Sequence, residues 1–337
     1  FTRNSFINPP GSHPSLRQAA DVLYNAYEQL TGPVTEYFRR KLGAIKVGDS
    51  VIKARAFDSL RYLLPAGTGT NLAAVLNARD ARHLMNGLLG SSNVELLKIG
   101  SHMLEAARKV APVFAMDVDA DTFEPEVESL GPIPVGSRFG KTFVDLQQPD
   151  NVAAIVRRFW QDVQSFYGML PDEFDAHMRK RGRRQVPKVF RNVRLSFDII
   201  MDYGAFRDLQ RHRRCEQFVE PLKLDYGYVL PDDMRDTEFE PIFIDAIERN
   251  RGICEALLKH CSPTELQYAL PLCTLHRTRY VEDMQETYYV CELRTQPQGH
   301  LSYRRIAWER YEKAKQLYPD LMQWCQPVEP VSAGLHT

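Results

Sequence analysis

The strongest constraint on this chain is a Leu-Pro pair that occurs twice, at Leu64-Pro65 and at Leu270-Pro271, an offset of 206 residues. From the first pair a polar stretch leads to Asn77-Ala78-Arg79-Asp80, an apolar helix, then Ser92-Asn93-Val94-Glu95 and a second helix ending at Pro112. From the second pair a similar stretch leads to Asp283-Met284-Gln285-Glu286, an apolar helix and a last helix ending at Pro319. Pro65 to Pro112 spans 47 residues and Pro271 to Pro319 spans 48. Asn77 and Asp283 each precede an acid by three residues, the pattern of a helix N-cap. Over 92–111, Leu96, Ile99, Met103, Ala107 and Val110 recur at helical spacing. Identity between the two copies is low, so shared order, caps and length carry the inference of a duplication.

The same comparison shows what one copy lacks. A long helix precedes each Leu-Pro, with Ala26 to Leu30 answering Cys254 to Leu258 at an offset of 228. The second copy has a further stretch, about 140–235, ahead of its helix, whereas the first has 13 residues there. That stretch reads as a short strand at 141–147, a helix at 151–168 and an alternating, strand-like run at 189–200. A helix at 203–214 and an extended segment near 223–230 follow. The mixture is α+β, without strict alternation of strands and helices. The expected organisation is 1–115 as the C-terminal part of a first unit, an acidic linker at 116–136, a second unit at 137–325 and a tail at 326–337.

Charge narrows the function classes. The 43 basic and 43 acidic residues cancel overall, which argues against a bulk polyanion binder. The cancellation is an average over opposed blocks: +6 over 1–115, −8 over 116–176, +9 over 177–214 and −7 over 215–337. The +9 block can hold a phosphorylated ligand. The longest uncharged run, Tyr62 to Ala78, contains Pro65, Gly67 and Gly69 and is 17 residues long, short of the ~20 apolar residues of a membrane helix. All six cysteines lie at or after Cys215, with no CxxC pair. This suits a reducing, cytoplasmic setting and no zinc site.

The most informative local run is Phe206-Arg207-Asp208-Leu209-Gln210-Arg211-His212-Arg213. On a continuous helix, Arg207, Arg211 and Arg214 share a face, and Asp208 faces His212 at i, i+4. Such a cluster suits a phosphate or pyrophosphate, whose oxygens guanidinium binds bidentately; a solvated basic helix end is the alternative. Asp117, Asp119, Asp121 and Glu128 match calcium-loop spacing, but Thr122 replaces the turn glycine and Pro125 interrupts the loop. An acidic linker is the better reading. The run from Arg179 to Arg184 reads as a solvated face, since it lacks the interleaved aromatics of a nucleic-acid surface.

These residues resemble the flavin-dependent thymidylate synthases. That family's hallmark is an Arg-His-Arg run preceded by a Pro-Phe-Glu-His strand start; here Val189-Phe190-Arg191-Asn192 stands in that place, and Val189 to Arg213 aligns without a gap. Asn77-Ala78-Arg79 matches the family's Asn-x-Arg in the first unit, and Leu293-Arg294 its Leu-Arg in the second. The resemblance implies a thymidylate-synthase-complementing-protein-like fold: a twisted, mainly antiparallel sheet flanked by long helices, in two fused units. It also implies methylation of dUMP to dTMP, with methylenetetrahydrofolate giving the carbon and FAD, reduced by NADPH, giving the hydride. Arg211, His212, Arg213, Asn77 and Arg79 would contact the cofactor, and Arg207, Asp208, Lys223 and Arg294 the substrate. No catalytic residue is assigned.

The departures are specific. Pro221 and Lys223 stand where the family has a nucleotide-contacting Ser and Arg, and Asp208 replaces a nucleotide-contacting Gln. Leu88 replaces the Leu-Arg arginine in the first unit, and Asp283-Met284-Gln285 replaces Asn-x-Arg in the second. The losses are complementary, so the expected arrangement pairs the Arg-His-Arg of one unit with the Asn-x-Arg of the other, in a homo-oligomer of tandem chains that mimics a tetramer. Two alternatives stand beside this: a catalytically degenerate flavin-binding, structural or regulatory relative, and a nucleic-acid binder using 177–214.

Overall fold

A computed structural model describes all residues except 10, 44–47, 117, 121–126 and 331–337. In chain order the helices begin with α1 (Ser15–Leu42), α2 (Asp49–Leu60), α3 (Ala78–Gly90), α4 (Val94–Val110) and a turn, α5 (Pro112–Ala115). Strand β1 (Phe143–Leu146), α6 (Val152–Tyr167), α7 (Pro171–Arg179), β2 (Arg194–Asp202), α8 (Tyr203–Leu209) and β3 (Cys215–Val219) follow. The chain continues through α9 (Glu240–Leu257), α10 (Pro263–Leu266), β4 (Leu275–Asp283), α11 (Met284–Arg294), α12 (Leu301–Leu317) and α13 (Pro319–Met322). The fold is α+β, and its contacts divide the chain into two compact units.

The first unit holds Phe1–Glu128, Pro221–Leu224 and Leu230–Leu272. Its long helix α1 buries Leu16, Ala20, Leu23, Tyr27, Leu30, Val34 and Phe38, a stripe at spacings of three and four. The helix packs against α2 and against α9, which buries Phe243, Ile247, Asn250 and Cys254. The Asn250 amide ties the packing together, donating to the carbonyls of Ala19 at 2.9 Å and Ala269 at 3.0 Å. Each Leu-Pro is preceded by a 3-10 turn, Arg61–Leu63 and Gln267–Ala269. The two Leu-Pro segments pair with each other: Ala66 N–H donates to Leu270 C=O at 2.8 Å, and Leu272 N–H to Leu64 C=O at 3.0 Å. Under the 206-residue offset these two bonds are images of one another, the reciprocity of a local two-fold axis.

Residues 69–77 correspond by that offset to β4 yet form no strand. An extended segment becomes a strand only when a neighbour takes its backbone groups, and no counterpart of β2 is described beside it. The helices that follow keep their caps: the Asn77 side chain accepts from Asp80 N–H at 3.0 Å, and the Asn93 side chain accepts from Glu95 N–H at 2.9 Å.

The second unit comprises Ser129–Glu220, Asp225–Val229 and Cys273–Thr337. Its four strands lie in the order β1-β2-β4-β3, and every neighbouring pair is antiparallel. The β2–β4 ladder runs from Arg194 opposite Asp283 to Asp202 opposite Leu275. Phe197, Ile199 and Met201 alternate onto one face and join a core with Phe159, Phe174, Phe190, Tyr288 and Trp324. On the other face Asp198 accepts from Arg277 at 2.7 and 2.6 Å and from Arg279 at 3.0 Å. Arg310 is fully buried against Glu282 at 2.5 Å, with its guanidinium over the Phe197 and Tyr280 rings.

Three local expectations change. Val189 and Phe190 belong to a 3-10 turn, Lys188–Asn192, so the strand starts at Arg194 rather than 189. The 203–214 helix ends at Leu209, where Gln210 caps it, and 215–219 is a strand. The extended segment near 223–230 makes one bridge, Tyr228 to Thr274, and no named strand. Among the described residues no cluster of metal-ligating groups occurs; Asp117 and Asp121 of the calcium-like pattern lie outside the described residues. No helix of the described residues is long and apolar enough to cross a membrane.

Candidate functional site

The Arg-His-Arg run sits on the turn between α8 and β3. Asp202, at the end of β2, caps α8 by accepting from Ala205 N–H at 2.7 Å. Ala205, Phe206 and Leu209 are buried, which anchors the short helix and projects the residues after it. Because the helix stops at Leu209, Arg207, Arg211 and Arg214 do not share a helix face as the sequence suggested. Arg211 folds back instead, donating from Nε to Arg207 C=O at 3.3 Å, and its terminal nitrogen lies 3.8 Å from Asp208.

His212 is buried, and its partners are not Asp208 but two residues of α11. Its Nδ1 lies 3.2 Å from a Glu286 carboxylate oxygen, and Arg294 Nε donates to its Nε2 at 2.7 Å. Arginine has no acceptor, so Nε2 must present its lone pair and Nδ1 must carry the proton that Glu286 accepts. This fixes one tautomer and one ring orientation. Tyr289 stands edge-on to the ring at 5.6 Å.

Arg214 is turned onto internal partners. It donates to Gln285 Oε1 at 2.6 Å, ion-pairs with Asp283, and lies 3.5 Å from Glu286. Gln285 also accepts from Arg191 Nε at 2.7 Å and donates to Val186 C=O at 2.5 Å. Asp283 meanwhile caps α11, accepting from Glu286 N–H at 2.9 Å. Asp283 and Gln285, which correspond to Asn77 and Arg79 under the 206-residue offset, therefore serve as internal partners for arginine.

What remains available is cationic. Arg213 and Arg207 are exposed, and Arg213 makes no hydrogen bond or ion pair among the described residues. With Nε committed to His212, the terminal amino groups of Arg294 make no hydrogen bond there; its guanidinium lies 5.6 Å from the Tyr303 ring centroid. The structure thus brings Arg207, Asp208, Arg211, His212, Arg213 and Arg294 into one neighbourhood of the second unit. Asn77, Arg79 and Lys223 belong to the first unit. There Asn77 uses both amide atoms within its cap box, donating to Asp80 Oδ2 at 2.8 Å as well as accepting its N–H. Arg79 is exposed, and Lys223 donates to Glu128 C=O at 2.9 Å.

Sequence reasoning missed the roles of Glu286 and Arg191, and the arginine partners of Gln285. The paired residues lie 74, 94 and 71 positions apart along the chain, so no local spacing reports them. The acid three residues after the Asp283 cap was visible as a capping signal, and Glu286 is that residue.

An α+β unit with an antiparallel four-stranded sheet and a basic turn locked onto the helix after β4 defines the class. The family described as thymidylate synthase complementing protein matches residues 145–320, and the chain belongs to that family. It is 29% identical to a UPF0159 protein of Chlamydia muridarum over 95% of this chain and 67% of that protein. It is 28% identical to a UPF0159 protein of Thermoplasma acidophilum over 84% of this chain and 61% of that one. The chain thus spans between 61% and 67% of the length of these relatives. A solved structure, a UMP/dUMP methylase of Streptomyces cacaoi, covers 55% of this chain and 93% of its own at 13% identity and a TM-score of 0.44.

Proposed function

We propose that the protein takes part in FAD-dependent methylation of dUMP to dTMP, with methylenetetrahydrofolate as carbon donor and NADPH as reductant. One observation carries this reading within the family: around a His212 held in a single tautomer, Arg213 and the terminal amino groups of Arg294 are uncommitted cations. The donor set fits an anionic cofactor. Arg207, Arg211 and Arg213 present exposed guanidinium groups on seven consecutive residues, and such groups bind phosphate oxygens bidentately.

Bound FAD would supply the hydride chemistry. The chain's own residues bind and orient. Arg211 and Arg213 hold phosphate oxygens, and His212 keeps the turn in shape through Glu286 and Arg294. Arg294, Arg207 and Lys223 take the nucleotide phosphate, with the Asp208 carboxylate limiting how close that phosphate comes. Asn77 and Arg79 contact the cofactor in the same reading, within a duplicated chain that forms homo-oligomers in the cytoplasm. The reciprocal Leu-Pro bonds support the duplication.

A second reading, a flavin-binding relative without catalysis, draws on the internal pairing of Arg214 and the backbone contact of Lys223. Two measurements separate the readings. A flavin spectrum that disappears on FAD removal, with tritium release from C5-labelled dUMP, supports the enzyme. Bound flavin without tritium release supports the second reading, and no flavin binding refutes both.

A further inference from the structure

The Arg179–Arg184 run has no part in the site above, and it borders a cleft of about 750 Å³ in the second unit. That volume lies within the ~300–1,000 Å³ typical of small-ligand sites. Its apolar lining includes Tyr167, Met169 and Phe174. Tyr167 and Phe174 lie with ring centroids 6.4 Å apart; Phe174 is buried and Tyr167 is 39% exposed, so the Tyr167 ring is the aromatic surface open to solvent there.

Lys180, Arg184 and Lys188 also line the cleft, and no carboxylate is among the lining residues. Arg181 also borders the cleft, but its guanidinium is spent on Glu292, at 3.1 and 2.5 Å, and on Trp324 C=O at 3.1 Å. The Arg184 guanidinium is braced by backbone carbonyls alone, Nε on Arg181 and Nη2 on Lys180, each at 3.0 Å, which leaves its charge unneutralised. Lys180 and Lys188 are exposed and make no ion pair among the described residues. Of the acids on α7, Asp175 is held by Arg179 at 2.7 Å and by the Trp324 indole at 2.8 Å, and Glu173 accepts from Leu170 N–H at 2.8 Å.

Three cations without acids, lining one cleft with the exposed ring of Tyr167, match a molecule that is flat and apolar at one end and multiply negative at the other. A dianionic phosphate meets several ammonium groups at once, and an aromatic ring stacks on Tyr167. We propose that this cleft is a second binding site, separate from the Arg-His-Arg turn, for an aromatic phosphate of nucleotide type. The limited volume and the few cations favour a single small molecule over a nucleic-acid strand, which needs a basic groove along its backbone.

The test uses the full chain and fluorescent anthraniloyl-AMP, followed by anisotropy at low salt. Saturable binding is expected, with the uncharged anthraniloyl-adenosine weaker by about tenfold or more, the scale of one lost charge-assisted contact. Lys180→Glu/Lys188→Glu is expected to weaken anthraniloyl-AMP by at least about tenfold, and the milder Lys180→Gln/Lys188→Gln by a smaller factor. Tyr167→Ala weakens it too, whereas Arg213→Ala leaves it unchanged. The proposal is overturned by an absence of binding, by equal affinity for the nucleoside, by affinity unmoved in both lysine double variants, or by loss in Arg213→Ala. A single-stranded oligonucleotide that displaces the probe far better than AMP does overturns it as well.

Discussion

His276 offers a sharp test of the packing beneath the basic turn. It lies on β4, 1% exposed, edge-on to Phe206 of α8 at 4.5 Å and to Tyr203 at 5.5 Å. Its Nδ1 is 3.4 Å from Thr278 Oγ1, and its Nε2 has no hydrogen-bond partner. Burial therefore pushes the imidazole down to about 3, and a backbone hydrogen bond at Arg277 opposes the shift only in part. In the unfolded chain the same ring takes its proton near ~6.5. Between those two values only the unfolded state is protonated, so stability falls as pH drops through ~6.5 and is intact above it. The slope is about 1.4 kcal/mol per pH unit, and the cumulative loss from about pH 8 to about pH 5 is about 2 kcal/mol.

His276→Phe keeps the ring contacts and removes the proton. Urea denaturation of both proteins at about pH 8, 6.5 and 5 gives the comparison, since every other titrating group is common to both. The wild type should lose about 2 kcal/mol more than the variant over that range. Parallel profiles would refute the reasoning, because they would mean that the ring is solvated or protonated in the folded state.

Other expectations follow from single contacts. Glu282→Ala strands the buried Arg310 guanidinium and should cost about 3–5 kcal/mol, whereas Glu282→Leu/Arg310→Met should recover most of that loss; equal losses in urea melts would contradict the pairing. Asn77→Ala should destabilise by about 1 kcal/mol through its lost cap, and Asn77→Ser should not. If Asn77 also contacts the cofactor, both variants weaken FAD binding, and a titration of Asn77→Ser separates the two roles.

The helices were legible where one face is apolar. The spacing in α4 announces itself, and the two Leu-Pro segments could be aligned by their offset before any contact between them was known. β4 was harder to see because Leu275–Asp283 is a buried strand rich in His, Arg and Thr, whose Arg277 is met by Asp198 and whose Glu282 is met by Arg310 rather than by water. Hydrophobic alternation cannot report such a strand. The Arg-His-Arg run suggested a longer helix because arginine and glutamine suit helices; the turn forms because β3 must start at Cys215 to pair with β4. His212 was recognisable as a site residue, but its partners were not. Local spacing offered Asp208, and tertiary structure supplied Glu286 and Arg294.

The most direct test of the central claim is a calorimetric titration of the purified protein with FAD, repeated on Arg213→Ala. Saturable binding that weakens by about tenfold or more in the variant, the cost of one charge-assisted phosphate contact, is the expected result. An absence of FAD binding, or an affinity unchanged in Arg213→Ala, would contradict the assignment of the basic turn as the cofactor site.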